Sequence, residues 1–274
     1  MGIPNFSSIE EINTAYTDLW KKYRKMKFPW SKNNYFDIWP IQYDTSIKKQ
    51  SLLFIGFNPS YDDFKDELKL SEDRSLEDTN LIMKSVKDER TAQRGNGGEK
   101  RYKYYNPFPE ICETLCLGKE DWNHIDLLPF RHKEQNDLVD DLQLDTNLSK
   151  WCIGGSVKLD LIKECMGILL GSIRYIDPKV IVVVNGFISR KIIDYTGSYY
   201  VPGKDGSSDK TNGIKDDMSV SLSYDQKENY RILRIMDKEY PLLVSAMLSG
   251  LRALDIGSRE RLIWHMKKIL GDKK

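Results

Sequence analysis

The stretch DPKVIVVVNG (177–186) decides the fold class. Between Asp177-Pro178 and Asn185-Gly186 lies an unbroken apolar run, residues 180–184, made only of valine and isoleucine. A β-branched run of this length, closed at both ends by breakers, reads as a strand buried on both faces. Such a strand belongs in a sheet covered by helices on both sides. The flanks agree. Residues 150–176 carry a long apolar helical face that includes Leu159, Leu161, Ile162, Cys165, Met166, Leu169 and Leu170, and residues 187–195 restart as a helix.

Working outward, SLLFIGFNPS (51–60) and WNHIDLLPF (122–130) are further buried strands, the first running into a loop and the second stopped by Pro129. Residues 108–117 read as a helix, and YPLLVSAMLSG (240–250) as another apolar strand. Residues 8–27 have Ile9, Ile12, Leu19, Tyr23 and Met26 at helical spacing, with Ser7 or Ser8 as cap and Glu10 and Glu11 in the first turn. Residues 258–270 form a final helix capped by Ser258 and followed by Gly271. MSVSLSY (218–224) and YRILRIM (230–236) alternate and predict an antiparallel hairpin, while residues 197–217 are turn-rich. The expectation is an α/β three-layer sandwich with a central, mainly parallel four-stranded sheet, plus a β-hairpin and an N-terminal helix. It is a single domain over residues 1–274, with a charged insertion at about 62–100.

The 274 residues are 40% hydrophobic, enough for a real core, so wholesale disorder is excluded. No segment approaches the roughly 18 unbroken apolar residues of a membrane span, so no membrane association is expected. The N-terminal MGIPNFSSIEEINTAY has acids where a signal peptide needs an apolar stretch. Cys112, Cys116, Cys152 and Cys165 are too few for a disulfide framework and lack paired CxxC knuckles. Thiols in a reducing cytoplasm are favoured over a zinc or iron–sulfur site, and no cofactor is expected. Cys112 and Cys116 share a face if ICETLC is helical. The 42 Lys+Arg against 41 Asp+Glu give a net charge of +1, which argues against indiscriminate nucleic-acid binding. The balance is uneven: residues 62–89 and 134–145 each carry net −5, and residues 151–274 net +5, leaving room for a locally basic rim.

In parallel sheets ligands sit beyond the carboxyl ends of the strands. Here those ends are GFNPS (56–60), DLLPFR (126–131), NGF (185–187) and SAMLSG (245–250). In the first, Gly56 lets backbone approach a ligand, Pro59 stiffens the turn, and Asn58 offers an amide donor pair and an acceptor. There is no P-loop, no GxGxxG and no nucleophile elbow around Ser60 or Ser249.

Taken in order, GFNPS, YYNPFP (104–109), IDLLPFR (125–131), DPKVIVVVNG and SAMLSG resemble the strand ends of the uracil-DNA glycosylase superfamily over residues 50–270. The resemblance implies a glycosylase-like fold and hydrolysis of an N-glycosidic bond in duplex or single-stranded DNA. Asn58 then orients the attacking water, which an amide can do if the base departs first and leaves an oxocarbenium-like sugar. Gly56, Phe57 and Ser60 line the pocket. Tyr104, Tyr105 or Phe108 stacks on an extruded base, with Tyr105 and Phe108 the leading candidates. Asp126 and Asn185 complete the base-binding set. Arg131, Met247, Leu248, Ser249, Gly250 and Arg252 face DNA, joined by Arg190, Lys191 and Arg259 as candidate phosphate contacts.

Two positions depart from the pattern. Asp126 stands where the family usually places Asn; it either reads a base edge rich in N–H donors or is structural, paired with His124, Arg131 or a loop N–H. Met247 stands where the family has His and Leu248 where it has Pro, so the usual donor to the departing base is missing; the two residues are either an apolar wedge or core. His132 is the remaining general-acid candidate, whereas His124 lies inside a strand and reads as buried. The rival expectation is a nucleic-acid or nucleotide-binding protein that keeps the pocket and has lost catalysis.

Overall fold

A computed structural model of the chain describes residues 2–25, 40, 42–43, 47–57, 103–130, 157–196, 220–248 and 253–271. The elements are α1 (Ile9–Lys25), β1 (Leu52–Gly56), α2 (Pro107–Thr114), β2 (Trp122–Asp126), α3 (Val157–Ile176), β3 (Val180–Val183), α4 (Gly186–Thr196), β4 (Val220–Asp225), β5 (Tyr230–Ile235), β6 (Lys238–Val244) and α5 (Ile256–Leu270). A 3-10 turn at Lys103–Tyr105 leads into α2. The insertion at about 62–100 lies outside the described residues.

The strands form one six-stranded sheet in the order β2-β1-β3-β6-β5-β4. The first four are parallel, with Phe54 opposite His124 and Val182, and Val182 opposite Leu243. β5 is antiparallel to β6 and β4 is antiparallel to β5. The chain is therefore α/β with a mixed six-stranded sheet, which corrects the expectation of a four-stranded sheet with a separate hairpin. The reason lies at residues 236–238. Met236 takes a left-handed φ of 55° in a tight turn, so β6 begins at Lys238 and pairs with β5 on one edge while pairing with β3 on the other.

β1, β2 and β3 are buried along their whole length, because helices cover both faces. On one face Leu53, Ile55, Ile181 and Val183 pack with Ile12, Tyr16 and Leu19 of α1 and Leu169 and Ile173 of α3. On the other Leu52, Phe54, Trp122, Val180 and Val182 pack with Phe108 and Ile111 of α2 and Leu262 and Met266 of α5. β4 alternates, burying Val220 and Leu222 and exposing Ser221 and Ser223, as an antiparallel edge with one covered face should.

Local chemistry sets the helix ends. Ser8 Oγ accepts the Glu11 N–H at 3.2 Å, and the Glu11 carboxylate accepts the N–H and hydroxyl of Ser7, each at 2.7 Å. These bonds hold the Glu11 carboxyl below the usual carboxylate range. At α5 the cap is Asp255 rather than Ser258: its carboxylate accepts from the Ser258 N–H at 2.9 Å and the Ser258 hydroxyl at 2.8 Å. Among the described residues no helix is long and apolar enough to cross a membrane.

Candidate functional site

The register of the parallel strands brings four chain ends to one edge. Gly56 is opposite Asp126, Ile55 opposite Val183, and Val183 opposite Val244. Pairing continues past the strands. The Leu127 and Leu128 N–H groups donate to the Gly56 and Phe57 carbonyls, Val184 N–H to Ile55, and Ser245 N–H to Val183. The segments beginning at Phe57, Leu127, Val184 and Ser245 therefore leave the sheet side by side.

At this edge the apolar α2–α5 face changes character. His124 and Asp126, two residues apart on β2, point to the same side, and Gly56 stands beside them on β1. His124 is 3% and Asp126 1% exposed, and His124 Nδ1 lies 3.7 Å from Asp126 Oδ2. The other ring nitrogen, Nε2, is 3.1 Å from the hydroxyl of Tyr104. A cage of rings fixes the imidazole. Phe108 lies nearly parallel to it at 5.6 Å, and Tyr104 and Tyr105 stand edge-on at 5.4 and 5.5 Å. Gly56 is needed here for space. A Cβ on it would lie 2.4 Å from Asp126 Oδ1 and 2.6 Å from His124 Nε2, closer than real contacts come. From the opposite face the Asp126 N–H donates to the Tyr43 hydroxyl at 3.0 Å, and the Tyr16 hydroxyl reaches the Asp126 carbonyl at 3.4 Å. Burial pushes the Tyr16 hydroxyl well above its ordinary range.

This placement sorts the candidates. Among the described residues Asp126 lies beside His124, and its side chain is buried. Tyr105 and Phe108 are core residues, 3% and 1% exposed; Phe108 stacks on Phe54 at 4.3 Å and Tyr105 on Trp122 at 5.7 Å. Their rings are spent on packing, whereas Tyr104 is half-buried at the edge. Phe57 is buried against Phe187, edge-on at 4.9 Å. Asn185 is at the edge, but its Oδ1 caps α4 by accepting the Phe187 and Ile188 N–H groups at 2.9 and 3.3 Å. Leu248 is in the core rather than a wedge, and Met247 is half-buried, its carbonyl accepting the Leu254 N–H.

The candidate cations are likewise engaged. Lys191 is buried with Nζ 4.7 Å from the Phe187 ring centre, Arg190 Nε donates to the Gly186 carbonyl, and Arg259 pairs with Glu110 at 2.7 Å. Asn58, Ser60, Arg131, His132, Ser249, Gly250 and Arg252 lie outside the described residues. Cys112 and Cys116 do not share a helical face: α2 ends at Thr114, Cys112 is buried, and Cys116 is exposed with a left-handed φ of 56°. Among the described residues no cluster of three or more His, Cys, Asp or Glu side chains could hold a metal.

A cavity of about 410 Å³ opens at the other end of the strands, lined by Leu115, Leu117, Lys179, Lys267 and Leu270 among others. It is remote from the carboxyl edge; Cys116 lines it, and Gly56, Tyr104, His124 and Asp126 do not. In comparisons with known proteins, no family model and no curated protein matches the chain.

Proposed function

We propose that the chain is a DNA base glycosylase-like protein that hydrolyses the N-glycosidic bond of an extruded base, uracil or another modified base. The observation that carries the reading is the packing at Gly56, where a polar His124–Asp126 pair occupies the space of a side chain at the carboxyl ends of two parallel strands. A sheet face built for stability alone would continue the apolar series of Leu52, Phe54 and Trp122, because burying a polar pair gains little or nothing over apolar packing. A polar floor at this edge is where a ligand site belongs in a parallel sheet. Asn58, two residues beyond Gly56, supplies the amide that orients water once the base has begun to leave. The resemblance in the order of the strand-end segments supports the same assignment.

The test is to incubate the protein with single-stranded and duplex oligonucleotides carrying uracil, hypoxanthine, xanthine or a mismatch, and to look for abasic sites. The reading expects cleavage of at least one, slowed by about 10²-fold or more in Asn58→Ala, the scale of a lost proton-handling or water-positioning group. No abasic sites with any substrate overturns it. A second reading, a nucleic-acid-binding protein without catalysis, is favoured by Met247, whose thioether cannot donate a hydrogen bond to a departing base. Tight oligonucleotide binding without cleavage supports that alternative.

A further inference from the structure

We infer that the cavity of about 410 Å³ at the amino ends of the strands is a binding site for a small carboxylate with an aliphatic body. The inference goes beyond the glycosylase reading and stands without it.

Local structure shapes the walls. Cys116 takes a left-handed φ of 56° just past α2, so its N–H and that of Leu117 turn back onto the Glu113 and Cys112 carbonyls at 3.0 and 2.9 Å. This pair of bonds closes the helix and brings Leu115 and Leu117 to the cavity. Ile269 and Leu270 come from the last turn of α5, which Gly271 ends by donating its N–H to the Lys268 carbonyl at 3.3 Å. Leu115 belongs to the α2–α5 core, and Leu117, Ile269 and Leu270 pack against it partly buried. The apolar wall is therefore continuous with the core. The volume falls within the roughly 300–1,000 Å³ usual for small-molecule pockets.

Charge selects the head group. Lys179 stands directly before β3, its backbone N–H bonded to the Ser51 carbonyl at 3.0 Å, and Lys267 stands in the last turn of α5. Both line the cavity and both are exposed. Lysines flanking these segments are engaged: Lys48 with Asp121 at 3.2 Å, Lys119 with Glu113 at 3.5 Å, and Lys268 over the Trp264 ring at 4.7 Å. Among the described residues Lys179 and Lys267 have no ion-pair partner, although the Lys179 charge is felt by Asp121. No carboxylate is among the described residues lining the cavity. The carboxyl ends of α2 and α5 reach it, each worth a partial charge of about −0.5. Two full ammonium charges outweigh that sum, so the cavity favours an anion over a metal cation. An inorganic anion leaves the aliphatic wall unused; a carboxylate on an aliphatic chain uses both features.

Cys116 also lines the cavity and is exposed, so occupancy can be read from its alkylation. The full chain is treated with iodoacetamide across a decanoate series up to roughly 1 mM, the scale of a weak specific site. The readout is the Cys116 labelling rate with ligand over that without, taken within each variant. Decanoate should slow the labelling saturably. Lys179→Gln with Lys267→Gln should weaken decanoate about tenfold, from a two- to fivefold loss for each exposed charge. The urea midpoint of that double variant should stay at the wild-type value, since both side chains are exposed.

No saturable slowing by decanoate overturns the inference, as does an unchanged decanoate affinity in the double variant. Decanol acting as well as decanoate removes the anionic head and overturns it. Inorganic phosphate acting as well as decanoate removes the aliphatic body and overturns it too. Alkylation of the buried Cys112 or Cys165 in decanoate means that the probe unfolds the chain, and this also counts against the site. Absence of base excision sinks the glycosylase reading and leaves every outcome of this experiment as stated.

Discussion

Gly56 and Asp126 face each other across the β1–β2 register, and Asp126 Oδ1 lies 2.4 Å from where a Cβ on Gly56 would stand. The polar floor of the site and the glycine above it are one packing unit. Gly56→Ala must displace Asp126 or His124, both of them buried. Overpacking of this kind costs about 1–3 kcal/mol, so the urea midpoint should fall, and any base excision should fall with it. An unchanged midpoint would show that the pair moves freely.

Asn123, next to the pair on β2 but facing the other way, is a structural control. It is fully buried, donates to the Lys48 carbonyl and the Ser51 hydroxyl at 2.6 Å each, and accepts the Lys48 N–H at 3.1 Å. Asn123→Leu strands those backbone groups, a loss of about 1–3 kcal/mol by denaturant unfolding. It should leave any base excision by the folded protein unchanged.

Tyr240 and Asp177 give a pH prediction. Burial first, and then the Asp177 charge, raise the Tyr240 phenol above its ordinary value; its hydroxyl donates to Asp177 Oδ1 at 3.3 Å. A group raised in the folded state adds stability that is complete below its unfolded value, about 10 for tyrosine, and is lost as pH rises toward the folded one. Stability should therefore fall above pH ~10, and Tyr240→Phe should flatten part of that fall in a series of denaturant unfolding curves.

The cysteines differ in reactivity. Burial is the main cause that pushes the Cys112 thiol up to about 12 and the Cys165 thiol well above its ordinary range, while Cys116 is exposed. Because the thiolate is the reactive form, iodoacetamide on the folded protein should label Cys116 and spare Cys112 and Cys165 in peptide mass spectra. Equal labelling of all three would contradict the packing of α2 and α3.

β1 and β3 were legible because each is a closed apolar run, the signature of burial on both faces, as in residues 180–183. The union of hairpin and sheet was not. The edge along which β5 pairs is a tertiary choice, and the turn that permits it rests on a left-handed Met236, which no composition signal announces. In the sequence Asp255 and Ser258 are equally good capping residues three positions apart, and only the fold selects Asp255. At the site, the two-residue spacing of His124 and Asp126 is the signal for a shared face. What it cannot show is the Tyr104 hydroxyl arriving from a separate turn. Asn185 could have been read as a cap, since Asn directly before a helix start is a capping pattern.

The central claim is that ligand chemistry belongs to the carboxyl edge of the parallel strands. Hydrogen exchange measured with and without a saturating uracil-containing oligonucleotide tests it most directly. The account predicts protection of backbone amides at residues 56–57, 127–130, 184–188 and 245–248. Protection confined to residues 115–117, 179 and 267–271, around the cavity at the opposite end, would contradict it.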